Sequence, residues 1–206
     1  MKHSNLRNPV VLIHGIFDTF TIFNTMAAYL TQRGWEVHRF DLKPNRGFLG
    51  LDRLAQQITD YVDNTFSPNQ PFDLVGFSMG GIVSRYYIQR LGGIDRVQRF
   101  ITISSPHNGT WTAYFYVTPG TVQMRPNSEF LKDLNQDLHQ LNQLNFTSIW
   151  TPFDGMILPA NSSQLPVGQE IKLDILLHAW MVRDPRSLKT VAEVLSQPIK
   201  SSAIKP

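Results

Sequence analysis

Cysteine is absent from the chain, which excludes disulfide cross-links, a thiol nucleophile and any cysteine-ligated metal. Charge is sparse. Asp, Glu, Lys and Arg make up 17% of the 206 residues, and 19 basic against 16 acidic side chains leave a net charge of +3. No two Lys or Arg are adjacent, so the small excess reads as a solubility bias and not as a nucleic-acid footprint. Long apolar runs are missing too. The first, Val10 to Ile13, stops at His14-Gly15. That is short of the ~7–15 residues of a secretory signal core and the ~20 of a membrane span. A cytoplasmic protein with no transmembrane segment fits these absences, although a secreted chain stripped of its leader would read the same. Without a secretory context, the triplets Asn108-Gly109-Thr110, Asn145-Phe146-Thr147 and Asn161-Ser162-Ser163 are coincidental as glycosylation signals. No cluster of carboxylates suggests calcium, so no metal and no cofactor is expected.

What the chain does have is a core. Apolar residues reach 42% and aromatics 11%, a composition unlike that of disordered or coiled-coil chains. Residues 1–206 read as one domain. Pro9 to Ile13, Phe72 to Phe77 and Val97 to Ile103 read as buried strands, and Trp35 to Phe40, Thr147 to Thr151 and Ile171 to Leu177 as further strands. Between them run helical patterns. One ends at Leu30 to Gly34, one carries Leu51, Leu54, Ala55, Ile58 and Val62 on a stripe, and one runs from Gly80 to Leu91 before Gly92-Gly93. Glu129 to Leu144 places Leu131, Leu134, Leu138 and Leu141 at helical spacing, and Leu188 to Leu195 is a last helix. Strands alternating with helices imply an α/β fold: a mostly parallel sheet flanked by helices on both faces. Residues 106–128 break the rhythm with three of the thirteen prolines and no clean period. An excursion of that length is a candidate lid or cap, and a minimal one.

Gly76-Phe77-Ser78-Met79-Gly80 matches G-x-S-x-G, with a strand before it and a helix after it. Ser78 would then sit on a tight, strained turn, its hydroxyl projecting over the carboxyl edge of the sheet at a helix N-terminus. A serine nucleophile needs a base, and the base needs an acid to orient it, in the chain order Ser, acid, His. His178 follows Leu173 to Leu177 directly and is the candidate base. His139 lies within the leucine-rich helix, and His107, after Ser104-Ser105-Pro106, reads as a structural histidine. Asp154 stands between Phe153 and Gly155 at a strand-to-loop junction and is the candidate acid, whereas Asp174 falls inside the final strand. A tetrahedral oxyanion needs two preorganised N–H donors. Met79, next to the nucleophile, supplies one, and Ile16, just past His14-Gly15, the other, with Phe17 as its substitute. Phe17 and Ile157 are the candidate substrate-binding residues of an apolar acyl groove.

These residues resemble the α/β-hydrolase superfamily, in particular its small bacterial triacylglycerol-lipase-like members. The resemblance runs from Asn8 to about Ser187 and is carried by Val10-Val11-Leu12-Ile13-His14-Gly15-Ile16, the Gly76 to Gly81 segment, Ile103-Ser104-Ser105-Pro106-His107-Asn108-Gly109-Thr110, Asp154 before Ile157-Leu158-Pro159, and His178. It implies the α/β-hydrolase fold and hydrolysis of carboxylic esters through a serine acyl-enzyme and a Ser-His-Asp triad, without a cofactor. A lipid or small ester is the implied substrate. An acyltransferase or thioesterase, or a galactolipid or phospholipid acyl hydrolase, shares the same machinery. A binding module on an idle hydrolase scaffold would show a damaged triad, and none of the three roles is vacant here. Trp111, Tyr114, Phe115 and Tyr116 in the excursion fit either a transient contact with a lipid surface or packing over the sheet.

Overall fold

The strands are short and apolar because most are covered on both faces. The structure is a computed structural model that describes residues 7–200. β1 (Val10–Ile13), β2 (Val37–Arg39), β3 (Phe72–Phe77), β4 (Val97–Ile103), β5 (Asn145–Trp150) and β6 (Gln169–Lys172) form one parallel sheet in the order β2-β1-β3-β4-β5-β6. Side chains alternate between its faces. Val10, Leu12, Val75, Phe77, Ile101 and Ile103 belong to one apolar layer, and Val11, Ile13, Leu74 and Phe100 to the other.

The helices divide accordingly. They are α1 (Asn24–Thr31), α2 (Leu51–Thr65), α3 (Met79–Arg90), α4 (Pro119–Gln123), α5 (Glu129–Gln136) and α6 (Pro185–Leu195). α1 and α6 close the first face with Met26, Leu30, Leu188 and Val191, and α2, α3 and α5 close the second with Leu54, Ile58, Ile82 and Leu134. Each such side chain, fully buried, contributes roughly 1.5–3 kcal/mol of transfer free energy. The chain leaves β1 for the edge strand β2 through α1 on one face, then crosses to β3 through α2 on the other. The connections after β1 and β3 therefore diverge, which opens a crevice at the carboxyl ends of these two strands.

Two expected elements differ. The helix read over Glu129 to Leu144 stops at Gln136, and Leu138–Gln143 continue as a 3-10 helix. Leu138 and Leu141 keep their alignment in either helix type, because three residues make one 3-10 turn. Asp137 between the two segments is engaged by Arg90 (Nη1 to Oδ2, 2.8 Å). The last strand, expected over Ile171 to Leu177, is Gln169–Lys172 instead. Its pairing with β5 is followed by one more bond, Leu173 N–H to Trp150 O (2.8 Å), and the chain then peels away. Ile175 is buried and Leu173 packs partly buried against the same layer, while Leu176 and Leu177 are exposed, so that apolar run serves a loop and not a strand. Asp174 accordingly lies beyond the strand. The 106–128 excursion carries a 3-10 turn at Trp111–Phe115 and the short helix α4.

Candidate active site

Ser78 occupies the crevice between β1 and β3. Its backbone has φ 54° and ψ −125°, a left-handed setting that costs a non-glycine residue of order 1–3 kcal/mol. The turn is tight enough that neighbouring positions must lack side chains. A methyl on Gly76 would come 2.5 Å from Gly81 Cα, and one on Gly80 would collide with the Ile13 carbonyl. The amide of Ser78 is anchored by Ile103 O on β4 (2.8 Å). Its hydroxyl makes no hydrogen bond among the described residues, and the side chain stays close to buried, at 7% exposure.

His178 opens a 3-10 turn, His178–Val182, six residues past the end of β6. Its Nδ1 lies 2.7 Å from Asp154 Oδ2, and its ring lies against that of Phe77, the residue before Ser78, with centroids 4.7 Å apart. Asp154 follows β5 and uses its other oxygen, Oδ1, to accept the amides of Met156 and Ile157 (2.9 Å each). Burial pushes the Asp154 carboxyl up. The hydrogen bond and charge of His178, together with those two amides, outweigh burial and hold it below the usual carboxylate value. A carboxylate so held keeps the proton on Nδ1 and leaves Nε2 as the basic nitrogen.

The loop after β1 is fixed from below. Leu42 N–H donates to His14 Nε2 (3.0 Å), so His14 Nδ1 carries the proton and donates to Gly15 O (2.8 Å). Phe17, at φ 64°, donates its amide to Asn45 O (3.2 Å). That bond removes Phe17 as an N–H donor toward the crevice. Ile16 and Met79 keep amides with no hydrogen-bond partner among the described residues. A buried N–H is rarely left unpaired without reason, and a helix N-terminus such as that of α3 favours negative charge.

Next to Ser78 lies an apolar cavity of about 310 Å³. Ile16 and Phe17 line it from the β1 loop, Pro106, Ala113 and Tyr116 from the excursion, and Met156 and Ile157 from the Asp154 loop. Both sequence candidates for the groove, Phe17 and Ile157, thus border it. The excursion's contribution had no periodic signal to reveal it. Thr110 anchors that wall: its Oγ1 accepts from Leu158 N–H (2.9 Å) and donates to Met156 O (3.1 Å), while Trp111 N–H donates to Leu158 O (2.8 Å).

His107 does not line this cavity and is fully buried. Its Nε2 pairs with Thr102 Oγ1 (2.9 Å), and burial, aided by Arg85, pushes its pKa well below the ordinary value. His139 is exposed on the 3-10 segment after α5. Among the described residues no group of three or more His, Asp or Glu is placed to hold a metal ion, and no helix is long and apolar enough to cross a membrane.

A parallel sheet in this strand order, with a strained serine on the β3–α3 turn, is the α/β-hydrolase architecture. A family model described as palmitoyl protein thioesterase matches residues 9–127, more than half of the chain, and the chain belongs to that family. Among solved structures, the mature lipase BlEst2 of Bacillus licheniformis is 16% identical with a TM-score of 0.72, covering 92% of each chain. Aspergillus fumigatus lipase B is 17% identical with a TM-score of 0.80, over 95% of this chain and 54% of that one. A Mycobacterium bovis protein described as "Probable oxidoreductase EphD" is 27% identical over 118 residues, 52% of this chain and 19% of that protein. The chain thus spans about a fifth of the length of the curated relatives it matches. At these identities the structural likeness is one of fold.

Proposed function

We propose that this chain is a single hydrolase domain that cleaves carboxylic esters, lipid esters among them, through a serine acyl-enzyme. The observation that carries the reading is the strained Ser78 between two unbonded amides and the Asp154–His178 pair. Neutral His178 takes the proton of Ser78 as the oxygen attacks the ester carbonyl. The amides of Ile16 and Met79 receive the oxyanion. His178 then hands its proton to the departing alcohol, and water, activated by the same imidazole, releases the acid from Ser78. Asp154 stabilises the imidazolium that forms in each half. The acyl chain lies in the apolar cavity against Phe17 and Ile157. Every step uses this chain's own groups and water.

The family match favours a second leaving group, a thiolate, since the same acyl-enzyme forms from a thioester. The exposed aromatic side chains of the excursion, with Trp111 60% and Phe115 82% exposed, favour contact with a lipid surface over packing on the sheet. Labelling with a fluorophosphonate, followed by mapping of the adduct, tests the core of the reading. The adduct should fall on Ser78 and be lost in Ser78→Ala, which should also cut turnover by several orders of magnitude in a folded protein. An adduct on Ser104 or Ser105, or undiminished turnover, overturns it. Ester and thioester substrates of one acyl chain, compared by kcat/KM, decide between the two leaving groups.

A further inference from the structure

The Asp18 carboxyl had no role in the sequence reading and takes no part in the mechanism above, yet it stands beside the nucleophile. A methyl built on Gly15 would lie 3.0 Å from Asp18 Oδ2 and 3.0 Å from Ser78 Cβ. Only the bare Gly15 Cα therefore separates the carboxyl from the serine side chain. Asp18 is half-buried, and its carboxyl has no hydrogen bond or ion pair among the described residues. The structural uses open to it are already served by others. The amide of Phe20 is taken by Asp41 Oδ1 (2.8 Å), and the 3-10 turn that follows is capped by Thr19. Arg183, which acts on the carboxyl's charge, forms no ion pair with it.

An acceptor in this position lacks a partner that a substrate can supply. Burial raises the pKa of Asp18 against the lowering effect of His14, His178 and Arg183, so the ionised group is held at a cost that a donor would offset. The side on which it stands limits what that donor is. Neither Asp18 nor His178 borders the apolar cavity. The carboxyl stands outside that cavity and close enough to His178 for the imidazole's charge to act on it, and that imidazole is the group that hands a proton to the departing alcohol in the reaction proposed above.

We infer that Asp18 is a specificity-determining residue of a polar leaving-group subsite, accepting a hydrogen bond from a hydroxyl on the alcohol portion of a glycerol-like ester. The inference rests on the ester-hydrolase reading and adds a division of the site: an apolar side for the acyl chain and a carboxyl for a hydroxylated alcohol. A buried acceptor that the correct substrate satisfies discriminates more strongly than a lost methylene, because the analogue without the donor leaves the acceptor unpaired.

The test compares the 1-propyl and 2,3-dihydroxypropyl esters of one short acid, below their solubility limits. These differ only by two hydroxyls. Their kcat/KM ratio is divided by the ratio for alkaline hydrolysis, which removes intrinsic reactivity. The wild-type protein should prefer the dihydroxypropyl ester about tenfold, as expected for one hydrogen bond to a charged acceptor. Asp18→Ala should bring the ratio close to one, whatever the absolute rates. Asp18→Asn, which keeps an acceptor oxygen without the charge, should restore part of the preference. A purely structural role would lower both rates together and leave the ratio unmoved. That result, or a wild-type ratio near one, overturns the subsite while ester hydrolysis stands. Absence of turnover on both esters, with no fluorophosphonate adduct on Ser78, overturns the hydrolase reading and the subsite together.

Discussion

Asp154 is held by three donors, the His178 ring and the amides of Met156 and Ile157, and each favours its ionised form. Asp154→Asn should therefore cost catalysis and acid sensitivity at once. An asparagine amide would favour the wrong imidazole tautomer, and by analogy with serine proteases the loss in kcat reaches about 10⁴. The second effect has a definite sign. The folded pKa lies below the unfolded value, so the carboxylate's contribution to stability is complete above the unfolded pKa of ~3.9 and drains as pH falls through the folded value. Between about pH 5 and pH 2 the wild type should lose more unfolding free energy than Asp154→Asn. Urea titrations of both proteins across that range check it, and parallel losses would show that the two states hold the Asp154 proton equally.

The β3–turn–α3 unit is where local backbone geometry and tertiary packing meet. Its serine has a left-handed φ, and α3 starts so close to β1 that Gly80 faces the Ile13 carbonyl directly. Gly80→Ala should destabilise the fold by several kcal/mol, since backbone on both sides must shift to admit a methyl. Thermal melts check this, and an unchanged midpoint would mean that α3 slides without cost. A neighbouring element behaves in the opposite manner. The first part of the excursion is tied to the Asp154 loop through Thr110 and Trp111. Those bonds make it a standing wall of the cavity, which argues against its movement as a hinged flap.

The whole molecule follows from that wall. On the proposed reading, with the cavity formed and its rim exposed, an acyl chain would enter without displacing a lid. Each methylene buried contributes roughly 0.8 kcal/mol, so kcat/KM should climb a few-fold per carbon until the cavity is full. We expect a smooth curve with its optimum beyond about six carbons, and no jump as substrate passes its solubility limit. Rates for acyl chains of increasing length, followed across that limit, decide the point. A sharp rise at the onset of droplets would show a lid over Ser78. A steady fall from acetyl upward would contradict an apolar acyl site.

The sequence by itself determined what depends on near neighbours. The apolar strands β1, β3 and β4 and the glycine-flanked turn at Ser78 were legible because period and turn chemistry are local properties. The same locality misread Leu173 to Leu177 as strand, since a run of apolar residues does not say whether it pairs with β5 or serves a loop. Tertiary structure decided the rest. It placed His178 after a loop and against Phe77, closed off the Phe17 amide with Asn45, and made a cavity wall of an excursion with no period. It also set Asp18 across Gly15 from Ser78. These relations join residues far apart in the chain through sheet order and loop-to-loop hydrogen bonds, and no pattern confined to one segment encodes them.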